Sequence, residues 1–97
     1  MQQTDMIAPL SALAQPTRLA MFVAIAAEPD GLNSTDVAEL TNTPRSNTST
    51  HLNILRHAGL VTATRSGREI RYRAERDLVD GMATFLRDAV TVSSGKH

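Results

Sequence analysis

The sequence predicts a mainly α-helical domain that carries one small β-hairpin. An amphipathic segment over about residues 44–58 follows a short helical segment, residues 34–41, after only two residues. Beyond Gly59 the repeat of apolar residues shortens from 3.6 to 2 residues, and the two-residue repeat resumes after a turn at residues 65–68. Together these patterns indicate a winged helix-turn-helix of four helices, a hairpin and a fifth helix, in one domain over residues 1–97.

The first helix is expected over about residues 5–14, with Thr4 as a candidate cap. Pro9 lies inside this pattern, so the helix either begins near Ala8 or bends at the proline. Its expected apolar stripe comprises Met6, Ile7, Leu10 and Leu13.

The second helix is expected to begin at Pro16 and to stop at residues 29–31, which read Pro-Asp-Gly. Met21 and Ile25 make its second side apolar as well, so we expect a central position in the core. Its main apolar stripe is predicted to comprise Leu19, Phe22, Val23 and Ala26.

The third helix is predicted over about residues 34–41, with Asn33 or Ser34 as its cap. Asn42 can take the left-handed conformation that closes a helix. The residues expected to pack inward are Val37, Ala38 and Leu40.

The helix over residues 44–58 carries the strongest functional signal. Thr43 is expected to cap it, Pro44 suits its first position and Gly59 suits its end. One face is predicted to be core: Thr48, Leu52, Leu55 and Ala58. The remaining surface is polar with no acid between residues 42 and 67, and such groups hydrogen-bond to base edges and phosphates. We therefore predict a recognition helix in the DNA major groove, with DNA contacts from Arg45, Ser46, Asn47, Ser49, Thr50, His51, Asn53 and Arg56.

The hairpin after this helix is interpreted as a wing. Leu60, Val61 and Ala63 alternate with threonines, and Ile70 and Tyr72 alternate with charged residues on the return strand. Arginines at the tip and on the return strand could reach phosphates or the minor groove: Arg65, Arg68 and Arg71. The DNA-binding unit is thus predicted over residues 34–73.

The last helix is predicted over about residues 75–92. Its stripe comprises Leu78, Val79, Met82, Phe85, Leu86, Ala89 and Val90. This stripe is larger than a core of this size requires, so part of it is assigned to a partner subunit.

The charge distribution supports a nucleic-acid partner although the formal net charge is zero. Residues 1–42 hold one arginine against five acids, whereas residues 43–73 hold six arginines against Glu69 alone. The arginine guanidinium can form bidentate hydrogen bonds with phosphate and with guanine. A solvated arginine-rich hairpin is the alternative reading of this composition.

The sequence argues against several other classes. There is no apolar run long enough for a membrane span and no secretory signal pattern, so we expect a cytoplasmic protein. No cysteine is present, which removes disulfides and thiolate metal sites. Ser49 and His51 point about 200° apart on a helix, so they cannot form a nucleophile and base pair. We expect no enzyme activity and no cofactor.

These motifs resemble those of the ArsR/SmtB family of bacterial winged-helix repressors. The similar stretches are residues 13–19 (Leu-Ala-Gln-Pro-Thr-Arg-Leu), residues 37–39, the 46–56 face of the recognition helix, residues 58–61, and Gly67, Arg68, Ile70 and Tyr72 in the hairpin. The resemblance implies a homodimer that binds an inverted-repeat operator in double-stranded DNA and represses transcription. It places the dimer interface on the first and last helices, at Ile7, Leu10, Met82, Phe85, Leu86 and Val90.

The chain departs from this family in its metal ligands. Cysteines are absent, and starting from Asp77 or Asp80 the family's zinc spacing on the last helix meets unsuitable side chains. His51, His57 and His97 are scattered and do not replace such a site. The resemblance therefore implies a regulator without a thiolate or zinc site, whose effector is unknown. The alternative is a winged-helix module that binds an acidic protein through its arginines and has lost specific DNA binding.

Overall fold

The computed structural model describes residues 1–94, with side chains described through residue 90. A 3-10 turn at Gln3–Met6 precedes α1 (Ile7–Leu13) and α2 (Pro16–Ala26). A two-residue strand, β1 (Leu32–Asn33), leads into α3 (Ser34–Leu40) and α4 (Arg45–His57). The hairpin comprises β2 (Val61–Ser66) and β3 (Glu69–Ala74), and α5 (Arg76–Ser94) follows. This order confirms the predicted winged helix-turn-helix and adds β1, which was not predicted.

The sheet is antiparallel, with β3 in the middle of the order β1-β3-β2. Leu32 pairs with Tyr72, so β1 fixes the chain just before the helix-turn-helix against the returning wing strand. The other side of β3 pairs with β2 from Val61↔Ala74 to Ser66↔Glu69. The wing strand β3 is therefore hydrogen-bonded to β2 within the hairpin and to β1 at the start of the helix-turn-helix.

The chain start differs from the prediction. The backbone N–H of Gln2 donates to Asp5 Oδ2 at 2.8 Å, and the N–H of Asp5 donates to the Gln2 carbonyl, so Thr4 is not the cap. Because α1 begins at Ile7, Pro9 is its third residue, where a backbone N–H has no intrahelical partner. The helix thus accommodates the proline in its first turn, which is close to the predicted alternative of a start near Ala8.

The core lies between α2, α3, α4 and the base of the hairpin. Its fully buried members are Met21, Ile25, Val37, Leu52, Leu55 and Leu60, joined by buried Met6, Ala12 and Met82. The stripe predicted for α2 is wrong in part, because Met21 and Ile25 face the core whereas Leu19 and Val23 are exposed. Leu40 is also exposed (65%), contrary to its predicted inward position.

The last helix uses only part of its apolar stripe for this core. Met82 is buried, and Leu78 and Phe85 pack against the core while half-buried. Leu86 and Val90 remain exposed at 48% and 66%. The helix extends to Ser94, two residues past the predicted end, and His97 lies outside the described residues. Among the described helices, none has the length and apolar character needed to cross a bilayer.

Candidate nucleic-acid interface

The turn between α3 and α4 is held by its own hydrogen bonds. Asn42 adopts the predicted left-handed conformation, with φ of 51°. The N–H of Thr43 donates to the Ala38 carbonyl at 2.9 Å, and the Thr41 hydroxyl donates to the Val37 carbonyl at 2.7 Å. Pro44 occupies the cap position and the Thr43 side chain does not cap α4, which corrects both predictions. This short closed turn fixes α4 relative to α3.

The inner face of α4 is as predicted. Thr48, Leu52 and Leu55 are buried, and Ala58 beyond the helix end is half-buried. The Thr48 hydroxyl donates to the Pro44 carbonyl at 3.0 Å, so a buried polar group is satisfied within its own helix. Gly59 then ends the segment with φ of 82°. These residues turn the opposite face of α4 outward.

The outer face of α4 carries unengaged polar groups. In the part of the chain with described side chains, the following residues are exposed and make no side-chain hydrogen bond to the protein: Ser46, Asn47, Ser49, Thr50, Asn53 and Arg56. Their hydroxyl, amide and guanidinium groups retain full capacity to bind bases and phosphates. The structure thus brings these predicted residues together on one helix.

Arg45 begins α4 and contacts the start of α3. Its Nη2 donates to the Thr35 hydroxyl at 3.0 Å, while the side chain remains exposed. A guanidinium has five N–H donors, so most of them stay available for DNA. Thr35 was not among the predicted site residues, because nothing in its spacing relates it to residue 45.

His51 is half-buried and is approached from α2. Arg18 Nη1 lies 3.4 Å from His51 Nδ1, and Arg18 Nε donates to the Ala12 carbonyl at 2.8 Å. A guanidinium can only donate, so a hydrogen bond at this contact has His51 Nδ1 as its acceptor. Of the predicted DNA contacts on α4, His51 is therefore the one that also has a role in packing α2 against α4.

The wing turn is shorter than predicted. Because Ser66 pairs with Glu69, only Gly67 and Arg68 form the turn. Gly67 has φ of 66°, which suits the first central position of a type II′ hairpin turn. Arg65 and Arg68 are exposed and, among the described side chains, have no internal partner. These two arginines can be presented to a phosphate backbone.

Arg71, predicted as a DNA contact, is engaged inside the protein. Its Nε donates to the Asp30 carbonyl and its Nη2 to the Gly31 carbonyl, both at 3.1 Å. Its Nη1 pairs with Glu69 Oε2 at 3.0 Å. The guanidinium therefore fastens the wing to the loop between α2 and β1, and we expect it to contribute to stability rather than to DNA contact.

Glu69 completes this fastening. Asn33 Nδ2 donates to Glu69 Oε1 at 2.7 Å, and this hydrogen bond, followed by that from Arg71, lowers the pKa of Glu69 below its ordinary value. Asn33 also accepts the N–H of Asp36 at 2.8 Å, which confirms it as the cap of α3. One side chain thus connects the start of the helix-turn-helix with the wing.

Comparison with known proteins places this geometry in a family. The family described as "Helix-turn-helix domain" matches residues 13–63, which is more than half of the chain. The chain belongs to this family, as a winged helix-turn-helix protein of ArsR type. The ArsR resemblance and the expectation that it is not an enzyme are therefore confirmed.

The relatives of this ArsR-type chain include CmtR of Mycobacterium tuberculosis, named an HTH-type transcriptional regulator, with 45% identity over 62 residues. That match covers 63% of this chain and 50% of CmtR, so the chain spans about half the length of the curated relatives it matches. An ArsR-like transcriptional regulator from Rhodococcus sp. RHA1 has a TM-score of 0.85 at 25% identity, covering 96% of this chain and 86% of that one.

A third neighbour of this ArsR-type chain shows the fold at lower identity. A homodimeric winged helix-turn-helix DNA-binding domain from Mycobacterium bovis has a TM-score of 0.73 at 24% identity, over 97% of this chain and 86% of that fragment. As for metal sites, within the described part of the ArsR-type chain no three His, Asp or Glu side chains are grouped as ligands.

Proposed function

We propose that this chain regulates transcription as a dimeric repressor that binds an inverted-repeat operator. The observation that carries the proposal is the outer face of α4. There, six exposed side chains offer hydrogen-bonding groups that have no partner among the described residues, and none of the six is an acid. The helix would lie in the major groove and read base edges. The similarity to CmtR, named a transcriptional regulator, supports this assignment.

The charges around α4 support contact with phosphate. Arg45 and Arg56 lie at its two ends, and Arg65 and Arg68 lie at the wing tip. No acid occurs in residues 43–66, so repulsion from phosphate is absent along this stretch. We assign the wing arginines to the DNA backbone, where they would add affinity and carry little sequence information.

The proposed dimer would use α1 and α5. The core leaves four large apolar residues exposed: Ile7 and Leu10 on α1, and Leu86 and Val90 on α5. Half-buried Phe85 on α5 packs against the core. The radius of gyration is 15.1 Å, against about 12.5 Å for a compact chain of this length. Such elongation is what a partner-covered α5 would produce. Met82 is 7% exposed and belongs to the core, so we assign it no contact with the partner.

The geometry of DNA binding follows from such a dimer. Two-fold symmetry would place two α4 helices in successive major grooves, roughly 34–36 Å apart, and would require a palindromic operator. We further propose that control does not depend on a thiolate-bound or zinc-bound metal, since cysteine is missing from the sequence and the described acids and histidines do not cluster.

The experiment that tests this proposal is DNA binding by fluorescence anisotropy. The purified protein is titrated into the duplex immediately upstream of its own gene and into a scrambled duplex of the same composition, each at two salt concentrations. We expect tight, salt-dependent and sequence-selective binding with two subunits per site. Equal weak binding to both duplexes would instead favour the protein-interaction module.

Two substitutions on α4 refine the test. We expect Arg45→Ala and Ser49→Ala each to reduce the preference for operator over scrambled DNA by about 1–3 kcal/mol, because both are placed to read bases. Parallel titrations on both duplexes provide the measurement. An equal loss on the two duplexes for Arg45→Ala would reassign that residue to phosphate binding.

A further inference from the structure

A cavity of about 360 Å³ lies between α2, the end of β3 and the start of α5. Its apolar wall includes Phe22 and Ala26 from α2 and Val79 from α5. This volume falls within the range of small-molecule sites, which are mostly apolar with a few polar groups that orient the ligand. The cavity is separate from the outer face of α4 and from the wing tip.

Two arginines border the cavity, and both retain their hydrogen-bonding capacity. Arg73 and Arg76 form no ion pair or side-chain hydrogen bond with the described residues. Arg73 is half-buried, and its Cγ packs so closely on Gly31 that a Cβ built there would lie 2.8 Å away. Its aliphatic stem therefore lies against the α2–β1 loop. The planar guanidinium offers paired N–H donors that match a carboxylate.

Two acids also line the cavity, but they lie at its edges. Glu28 and Asp80 are exposed, and each also borders a neighbouring groove: Glu28 the one between α2 and α3, Asp80 the one along α5. Arg73 is half-buried and Arg76 is exposed, and neither lines either of those two grooves. The polar groups that the cavity does not share with those grooves are therefore cationic, whereas its body is apolar.

We propose that this cavity binds a small organic anion with an apolar body, such as an aromatic carboxylate. The carboxylate bonds to Arg73 and Arg76, and the ring packs on Phe22 and Val79. A ligand held there bridges α2, the wing strand β3 and the helix of the proposed dimer interface. The binding itself does not require the proposed DNA recognition, and it is tested without DNA.

The first measurement is a ¹⁵N-labelled amide NMR titration of the full chain with 3-phenylpropionate at pH 7, where its carboxyl is ionised. We expect saturable shifts at Ala26, Ala74 and Val79. Two analogues of equal size provide the control: 3-phenylpropan-1-ol, expected to bind about tenfold more weakly, and 3-phenylpropylamine, expected to bind more weakly still. Equal affinity for the three compounds would overturn the proposal, as would shifts confined to either neighbouring groove.

The second measurement compares variants. Arg73→Gln and Arg76→Gln should each weaken binding of 3-phenylpropionate by about tenfold, the contribution of a hydrogen bond to a charged group. Arg87→Gln is the matched control, because Arg87 is exposed on α5 and does not line the cavity. Circular dichroism checks that all three variants fold. No shift at Ala26, Ala74 or Val79 up to about 10 mM ligand, above the millimolar Kd of a weak fragment, would refute the site.

Discussion

Arg68 and Arg71 lie three residues apart in the wing, yet their surroundings predict opposite effects of substitution. Arg68 is the exposed second residue of the wing turn. Removing one phosphate contact lowers the salt slope of DNA binding by about 0.9, and both subunits of a dimer carry the change, so Arg68→Ala should lower it by about 1.8. Between about 50 and 200 mM salt, the wild type should lose roughly twelvefold more affinity than the variant.

Arg71 makes three internal hydrogen bonds and its side chain is 27% exposed. Arg71→Ala should therefore leave the salt slope unchanged and lower stability, by about 1–2 kcal/mol after allowance for solvent screening. A domain of this size loses about 4–8 °C in Tm for each kcal/mol. Thermal unfolding at one fixed protein concentration measures this loss, because the proposed dimerisation would make Tm depend on that concentration.

Both variants are compared by anisotropy titration over a salt series and by circular dichroism melting. The expected pattern is a changed slope with an unchanged Tm for Arg68→Ala, and the reverse for Arg71→Ala. A reduced slope for Arg71→Ala would show that its guanidinium leaves the Asp30–Gly31 loop to bind phosphate. An unchanged slope for Arg68→Ala would show that Arg68 does not contact the DNA backbone.

Four other substitutions test the stability and assembly of the molecule. Gly31→Ala, at φ of +78° with the new Cβ against the Tyr72 carbonyl oxygen, should lower the free energy of unfolding in urea by about 2–4 kcal/mol. Gly67→Ala, at φ of +66° in open space, should lower it by only about 1 kcal/mol, and equal losses would contradict the close approach at Gly31. Leu86→Glu should raise the Kd of the proposed dimer at least a hundredfold, because the burial of two leucine side chains, about 3 kcal/mol in total, is lost. Sedimentation equilibrium measures this Kd, and an unchanged dimer would remove α5 from the interface. Because the pKa of Glu69 is lowered in the folded protein, its ionised form stabilises the fold; this contribution is complete above the ordinary pKa of 4.5 and is lost as the pH falls below 4.5. Glu69→Gln should therefore reduce Tm at pH 6 and have less effect near pH 3. An equal reduction of Tm at the two pH values would exclude this contribution.

Elements specified by local chemistry were predictable from the sequence. The cap at Asn33, the left-handed Asn42 and the helix end at Gly59 each depend on contacts within a few residues, and the structure confirms all three. The inner face of α4 was also predictable. In this largely polar helix, Thr48, Leu52 and Leu55 share one face, so that face is the one that packs against the core.

The α2 stripe and Arg71 could not be predicted by the same reasoning. An apolar α2 has no single stripe, so the positions of its neighbours decide that Met21 and Ile25 are buried and Leu19 is not. Arg71 bonds to carbonyls about 40 residues earlier, whereas strand alternation gives only the face on which a side chain lies. β1 is too short, at two residues, to produce a period.

Polar contacts between different elements explain how the candidate interface is held together. Asn33 caps α3 with its oxygen and bonds to Glu69 with its nitrogen, so the start of the helix-turn-helix and the wing share one side chain. Arg45 in turn joins α4 to Thr35 near the start of α3. Each of these contacts is at least partly exposed and individually weak. Because they act in series from the wing through α3 to α4, they restrict the angle between the wing and the recognition helix, which is the geometry that simultaneous contact with a groove and its flanking phosphates requires.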